Sequence, residues 1–496
     1  MTTRTVMMLT LLLGAGVFAG VFHALSNDPA AVSISWGIAL LIGGISLAFF
    51  GDHRFDMFSP LFFIGMSFAF FYGVPAIAPF ALENAGAFAG TVVAVQSYYP
   101  LAGMTSFLCM LGLFLGYSSS FAAYAGRSSS LLWWRTSACG EKLLWMVLLA
   151  MGVGAFLFLL ASDVYLQTTE DLESPLFYSA VGFIQSGLYV AIGFAVASAY
   201  KNRTTFWIVA ALVTFCVALL FGIPSGSKTL ALLAFMLSAL AVNYAHKPFS
   251  RLTAGVGVFF IIAILAVLMP FNVLYRTQLL TSNYAGQSLS ESAVMLKQAA
   301  GELADMSIEE SIDLTLDYSI ARLSNLSVVA NVLRYQEQGG TLHYGSSYAL
   351  ALFGLIPRFI WPEKPGLTVG QAIAVELGYS DPKAIRLGTE VSNNAVGITM
   401  VGEQVYNFSW VLAPFGMALL GMFYRWIYEV FKSGLRIAPR LAVGIYAYWW
   451  YGLVFSAHES NFAAIFMGTV KFTVFLFIFF YVLTFKWIAP KTLVSN

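Results

Sequence analysis

Apolar runs set the rhythm of this chain. About twelve stretches satisfy the rule that a helix crossing a bilayer needs roughly 20 mostly apolar residues. They lie near Thr5–Leu25, Val32–Phe50, Leu61–Phe80, Leu101–Tyr117, Leu143–Ala161, Phe177–Tyr200, Phe206–Ile223, Thr229–Ala245, Leu252–Phe271, Phe408–Ile427, Leu441–Ser456 and Phe462–Trp487. The runs at Leu101 and Leu441 are short, which fits a different tilt or ends shared with loops. Arg4 precedes the first run as it would in a signal peptide. No small-x-small cleavage pattern follows, so the run is read as a helix.

Polar residues between the runs predict an orientation, because Lys and Arg accumulate on the cytoplasmic side. Even-numbered connectors are basic: Arg54 in the second, Arg127, Arg135 and Lys142 in the fourth, Lys201 and Arg203 in the sixth, Lys247 and Arg251 in the eighth, and Lys432, Arg436 and Arg440 in the tenth. Arg4, Lys486 and Lys491 put both termini on the same side. The third connector carries only Glu83, and the fifth holds Asp163, Glu170, Asp171 and Glu173. The chain therefore divides into spans one to nine (1–271), a long ninth connector on the extracytoplasmic side (272–407), and three further spans (408–496).

Connectors as long as the ninth are usually functional. This one is acidic in sum. Its pattern predicts a helix over Ser290–Ala304. A second helix opens at a capping box of Ser307 and Glu310 and stops at Gly339–Gly340. Tyr348–Ile360 is apolar but too short to span, so it lies in the interface or re-enters. Three prolines in Pro357–Pro365 forbid a regular helix there.

Composition agrees. The 496 residues are 59% hydrophobic and 10% charged, with a mean hydropathy of +0.79. Soluble domains carry roughly 25% charged residues, so most of this surface must face lipid. The fold class is an all-α, polytopic transmembrane bundle with one large, partly helical extracytoplasmic loop. A net charge of +1 and the lack of a long basic run argue against nucleic acid as a partner. Cys109, Cys139 and Cys216 have no metal-ligand spacing and are read as packing residues; His23, His53, His246, His343 and His458 are scattered. No metal or cofactor is expected.

Charge near a membrane needs a reason. Lys228 ends the turn Gly222-Ile223-Pro224-Ser225-Gly226-Ser227, which can cradle phosphate oxygens or be a plain turn with a snorkelling Lys. Arg276 follows the ninth span. It can grip a diphosphate bidentately or pair with a loop carboxylate. Tyr318, Arg322, Asn325 and Val329 share one helical face, which suits a sugar or diphosphate but also any solvated face. Arg358 sits among prolines beside Trp361, whose ring can stack on a sugar or anchor at the interface. Glu390, Asn393, Asn394 and Glu403 precede Tyr406; a carboxylate here can act as general base or be an exposed loop acid. His458 can assist proton transfer or be passive.

Two segments carry a resemblance. The run Ile356-Pro357-Arg358-Phe359-Ile360-Trp361-Pro362-Glu363-Lys364-Pro365 resembles a hallmark of O-antigen and oligosaccharide repeat-unit polymerases (Wzy-type). Gly402-Glu403-Gln404-Val405-Tyr406-Asn407-Phe408 is similar to a segment that follows it there, with one residue more between Glu403 and Tyr406 than the tightest form. The specific likeness covers about Ala321 to Phe408; the layout of spans and loop is also similar.

The resemblance implies a multi-pass protein of the bacterial inner membrane. Its substrate would be undecaprenyl-diphosphate-linked oligosaccharide. The growing chain would pass from its lipid diphosphate to a new lipid-linked repeat unit in the periplasm, with a chain-length regulator and a flippase as further partners. Arg358, Arg276 and Glu403 would then carry the chemistry. Lys228, Arg322, Asn325, Tyr318, Trp361, Asn394, Tyr406 and His458 would hold substrate. A ligase, a transporter and a non-enzymatic assembly partner are the other classes open to this sequence. Transport is disfavoured, because the spans are nearly free of acids and the late loop has no counterpart in the first half.

Overall fold

The computed structural model describes residues 3–52, 54–81, 95–129, 133, 138–161, 175–222, 228–281, 289–307, 309–311, 314, 324–356, 361, 369–386, 389–391, 396–458 and 460–484. Each of the twelve apolar segments falls on helix within them. Among the described residues seven helices are long and apolar enough to cross a membrane, including Pro29–Phe50, Gln96–Tyr117 and Met400–Ile437. The short apolar helices Thr205–Leu220 and Leu232–Ala245 join the same bundle. Apart from one antiparallel hairpin, Ala384–Arg386 with Thr389–Val391, the regular elements among the described residues are helices.

Local chemistry starts the helices where polar residues precede apolar runs. Asp28 accepts the amide of Ala30 at 3.0 Å just before Pro29, and Ser59 accepts that of Phe62 at 3.2 Å before Pro60. The capping box in the ninth connector forms: the Ser307 amide donates to Glu310 Oε2 at 2.8 Å, and the Glu310 amide to Ser307 Oγ at 3.2 Å. These bonds hold the exposed Glu310 carboxyl below the ordinary glutamate value. Helix Leu289–Asp305 follows the expected pattern, but the expected helix from Ser307 to Gly339 does not run unbroken: Ser324 is non-helical and caps a new helix, Asn325–Glu337, through the Ser327 amide at 3.1 Å, and Gly339 at φ +90° ends it.

The bundle's most extensive helix pair is Tyr99–Tyr117 against Met400–Ile437. Glycine makes that approach possible. A Cβ on Gly116 would collide with the carbonyl of Ala418, one on Gly112 with that of Pro414, and one on Gly421 with that of Leu113. The spacing Gly112-x-x-x-Gly116 is the small-residue seam by which membrane helices pack backbone to backbone.

Polar connectors gather at two poles. At one, Glu429 takes Arg425 at 2.7 Å, Arg127 at 3.3 Å and Lys432 at 3.9 Å, and Asp52 takes Arg425 at 3.6 Å. Nearby, Asp56 accepts from the hydroxyls of Tyr428 and Tyr244 and from the amide of Asn243, and Arg440 meets Glu141 at 2.7 Å. These residues belong to or flank even-numbered connectors. At the other pole Tyr98 bonds Glu337, Asn325 donates to the carbonyl of His458, and Asn461 accepts the amide of Ile398, all in odd-numbered connectors or at their ends. Even-numbered connectors thus meet one another at one pole and odd-numbered ones at the other.

Three further details differ from the sequence reading. The ninth span continues through Pro270 to Thr281, so Arg276 lies within helix Arg251–Thr281 and not beyond it. Helix Ser120–Ser128 occupies the fourth connector and packs on the 400–437 helix. Cys216 is exposed on its helix, whereas Cys109 is packed as expected.

Candidate functional site

The segment resembling the polymerase motif forms the centre of the second pole. Thr399 opens it at φ 66°, ψ 161°, with its hydroxyl accepting the Gly402 amide at 3.2 Å. Ser409 closes it at φ 65°, ψ 168°, inside what is otherwise one helix from Met400 to Ile437. That region of backbone space is essentially glycine's own, so both residues are strained. Between them, 400–408 is a short helix set off from the span that follows.

Its polar side chains knit the pole together. Glu403 is fully buried. Ser347 Oγ donates to Glu403 Oε1 at 2.8 Å, and the amide of Ala463 donates to Oε2 at 3.4 Å. Asn407 Nδ2 donates to Ser347 Oγ at 2.9 Å and to the Glu403 carbonyl at 2.8 Å, while Asn407 Oδ1 accepts the amide of Gly345 at 3.0 Å. Gln404 donates to the hydroxyl of Tyr348 at 2.7 Å. Helix Ser346–Leu355 and the start of helix Phe462–Thr484 are therefore fastened to the 400–408 helix through buried groups.

A second group is part-exposed at its edge. Glu376 Oε2 accepts from the hydroxyl of Tyr406 at 2.6 Å and lies 3.0 Å from His343 Nε2. The imidazole stacks on the Tyr406 ring, 3.9 Å between centroids with 14° between planes. The His343 and Glu376 side chains keep 21% and 24% exposure. Burial pushes the Glu376 carboxyl up, but bonds from His343 and Tyr406 outweigh it and hold the group below the ordinary glutamate value. An ionised carboxylate with two donors on one oxygen orients the ring that shares it.

The residues singled out from sequence fare differently. Glu403 and Tyr406 meet at this pole, with both Glu403 oxygens enclosed by protein bonds. Asn325 is buried, its amide holding the His458 carbonyl at 3.0 Å, and Val329 is wholly buried; their helix face packs inward and is not a solvated binding face. His458 is buried among Phe71, Phe63 and Phe455, with Nδ1 donating to the Phe455 carbonyl. Trp361 is part-exposed and meets Phe353 edge-on at 5.9 Å.

The remaining basic residues can be followed only in part. Lys228 opens helix Lys228–Ala245, whose other end holds Asn243 and Tyr244 at the Asp56 pole, so its backbone sits at the opposite end. Arg251 lies over Phe50 and Phe55 at the Asp56 pole. At 1.5 Å per residue, Arg276 lies ~37 Å further along that helix. Tyr318, Arg322, Arg358 and Asn394 lie outside the described residues. His343, Glu376, Ser347 and Asn407 are the members that the sequence reading missed. Asn407 stood inside the quoted motif, whereas no spacing links His343 to Glu376.

Among the described residues no group of three or more His, Cys, Asp or Glu side chains is arranged to hold a metal ion. The chain is similar, over residues 151–394, to a family described as a domain of unknown function (DUF8712). That stretch contains His343 and Glu376 but ends before Glu403. No curated protein and no solved structure matches the chain.

Proposed function

We propose that this chain is a membrane glycosyltransferase that polymerises lipid-linked oligosaccharide repeat units. The growing glycan leaves undecaprenyl diphosphate and joins a hydroxyl of a fresh lipid-linked unit on the periplasmic face. One observation carries the reading. The Gly402–Phe408 segment, one of the two behind the family resemblance, is the point on which residues 343–347, Glu376 and the start of the last helix converge, at the pole of odd-numbered connectors. The backbone of Lys228 lies at the end of its helix away from the Asp56 pole. A diphosphate leaving group needs cations where negative charge develops, and a polyprenyl tail needs the apolar helices beneath.

The test is direct. The purified protein in proteoliposomes is incubated with a lipid-linked repeat unit, and the products are resolved by size. A ladder of longer lipid-linked glycans supports the proposal. Products extended by a single addition indicate a ligase. An absence of product, with lipid-linked sugar crossing the bilayer, indicates transport and sinks the proposal.

A further inference from the structure

The transfer needs a group to take the proton of the acceptor hydroxyl, and two of the residues the sequence suggests for it are enclosed. Glu403 has both oxygens engaged inside the protein, and its burial leaves no face for a sugar. His458 is walled in by phenylalanine rings. The His343 ring is different. It is part-exposed, and its loop is pinned: its amide donates to the Tyr406 carbonyl at 3.4 Å, and the next amide, of Tyr344, donates to the Asn407 carbonyl at 2.9 Å. Its plane is fixed by the Tyr406 ring beneath it and by Glu376 at Nε2.

We propose that His343 is the general base of the glycosyl transfer, with Glu376 and Tyr406 as its positioning residues. The assignment rests on the function proposed above. With Nε2–H donating to Glu376, the neutral ring presents Nδ1 as an acceptor. The acceptor hydroxyl places its proton on Nδ1 as its oxygen bonds to the anomeric carbon of the donor glycan. The bond from that carbon to the diphosphate oxygen breaks, and its electron pair leaves with undecaprenyl diphosphate. The imidazolium formed is stabilised by the Glu376 carboxylate until its proton passes to water. The titratable groups facing this ring pair are Glu376 from helix Val369–Glu376, Tyr406 from the 400–408 helix and Tyr335 from helix Asn325–Glu337.

The experiment uses full-length protein in proteoliposomes with a lipid-linked repeat unit, following the rate of ladder growth against substrate concentration. Retention of the lipid-linked unit by the protein is measured separately. His343→Gln is expected to lose at least about 100-fold in rate, the usual worth of a general base, with retention of the substrate kept within a few-fold. Glu376→Gln is expected to lose less, in kcat with KM kept within a few-fold, and Glu376→Asp to recover part of that loss. A purely structural pin would disturb retention of the lipid-linked unit as well. Added imidazole is expected to restore part of the rate of His343→Gly, which separates a missing base from a misfolded loop. A ladder rate within threefold of wild type in His343→Gln, a wild-type kcat in Glu376→Gln, or no rescue by imidazole overturns the assignment while the polymerase reading stands. A wild-type protein that makes no ladder removes both.

Discussion

The glycine seam between the Tyr99–Tyr117 and Met400–Ile437 helices makes a sharp prediction about Gly116→Ala. The added Cβ would lie 2.6 Å from the carbonyl carbon of Ala418 and 2.9 Å from its Cα, and closer still to the oxygen. Comfortable carbon–carbon contact is about 3.5–4.0 Å, so the helices must part by roughly 1 Å. The obstacle is main chain, which cannot rotate away as a side-chain tip can. A gap of that size forfeits between a quarter and a half of each dispersion contact along the seam, and overpacking of this kind costs about 1–3 kcal/mol. With backbone on the far side the upper end applies: about 3 kcal/mol, or roughly two orders of magnitude in the folded-to-unfolded ratio. The control is Gly154→Ala. A Cβ there meets nothing within 4 Å, so the substitution is neutral or gains up to about 1 kcal/mol of helix propensity. Thermal melts followed by tryptophan fluorescence in detergent should therefore move in opposite directions, or one strongly down and the other flat. Equal melting temperatures for the two variants would refute the backbone-contact reasoning.

Ser409→Gly should raise stability by about 1 kcal/mol, the relief of a strained non-glycine residue at φ 65° less glycine's extra unfolded freedom. Ser409→Val should lower it, and a melt showing the reverse order counts against the break as drawn. Thr399→Gly should come out near zero, because relief of its strain is offset by loss of a cap worth about 1 kcal/mol on the Gly402 amide. Glu429→Gln should cost on the order of 2 kcal/mol, less than a wholly buried ion pair, because Arg127, Arg425 and Lys432 keep some exposure; chemical denaturation of wild type and variant at low and high salt measures it. Glu376 titrates below its ordinary value when folded, so it stabilises the fold above that value and ceases to as pH falls through the lowered one. The stability gap between wild type and Glu376→Gln should therefore be full near neutrality and close below about pH 4.3; a gap constant down to pH 3 contradicts it.

How much of this was readable in advance follows from where each signal resides. Spans are written locally, since twenty apolar residues in a row have few alternatives, and so are caps such as Ser307 with Glu310. The Gly112–Gly116 seam is also local, yet its spacing matters only once a partner helix is known. The break at Ser409 has no such mark. Pro414, the obvious breaker, lies five positions on and is absorbed within the helix, while an ordinary Asn-Phe-Ser-Trp run takes the strained backbone because packing on both sides over-determines it. Asn325 misled for a related reason. Helical spacing shows which residues share a face, but not whether that face meets water or the neighbouring helices. His343 and Glu376 stand 33 positions apart, and only the tertiary fold joins them.

The two poles, finally, share one element. From the break at Ser409 to Glu429 is twenty residues, ~30 Å of α-helix, which is the hydrocarbon thickness of a bilayer. The charged cluster around Glu429 and the hydroxyl, amide and carboxylate cluster around 400–408 therefore sit where a membrane's two interfaces would lie, fastened to opposite ends of a single rod. That rod is positioned along its length by the glycine seam. The ion pairs at Glu429 fix how far it can slide, and the seam fixes how closely it approaches the Tyr99–Tyr117 helix. The break at Ser409 turns what would be a continuing helix aside, so that Asn407 and Tyr406 can clamp the loop bearing His343. The ion-paired cluster around Glu429 and the 400–408 segment thus lie about a bilayer's thickness apart along one stretch of chain, with the break at Ser409 marking where the long helix ends.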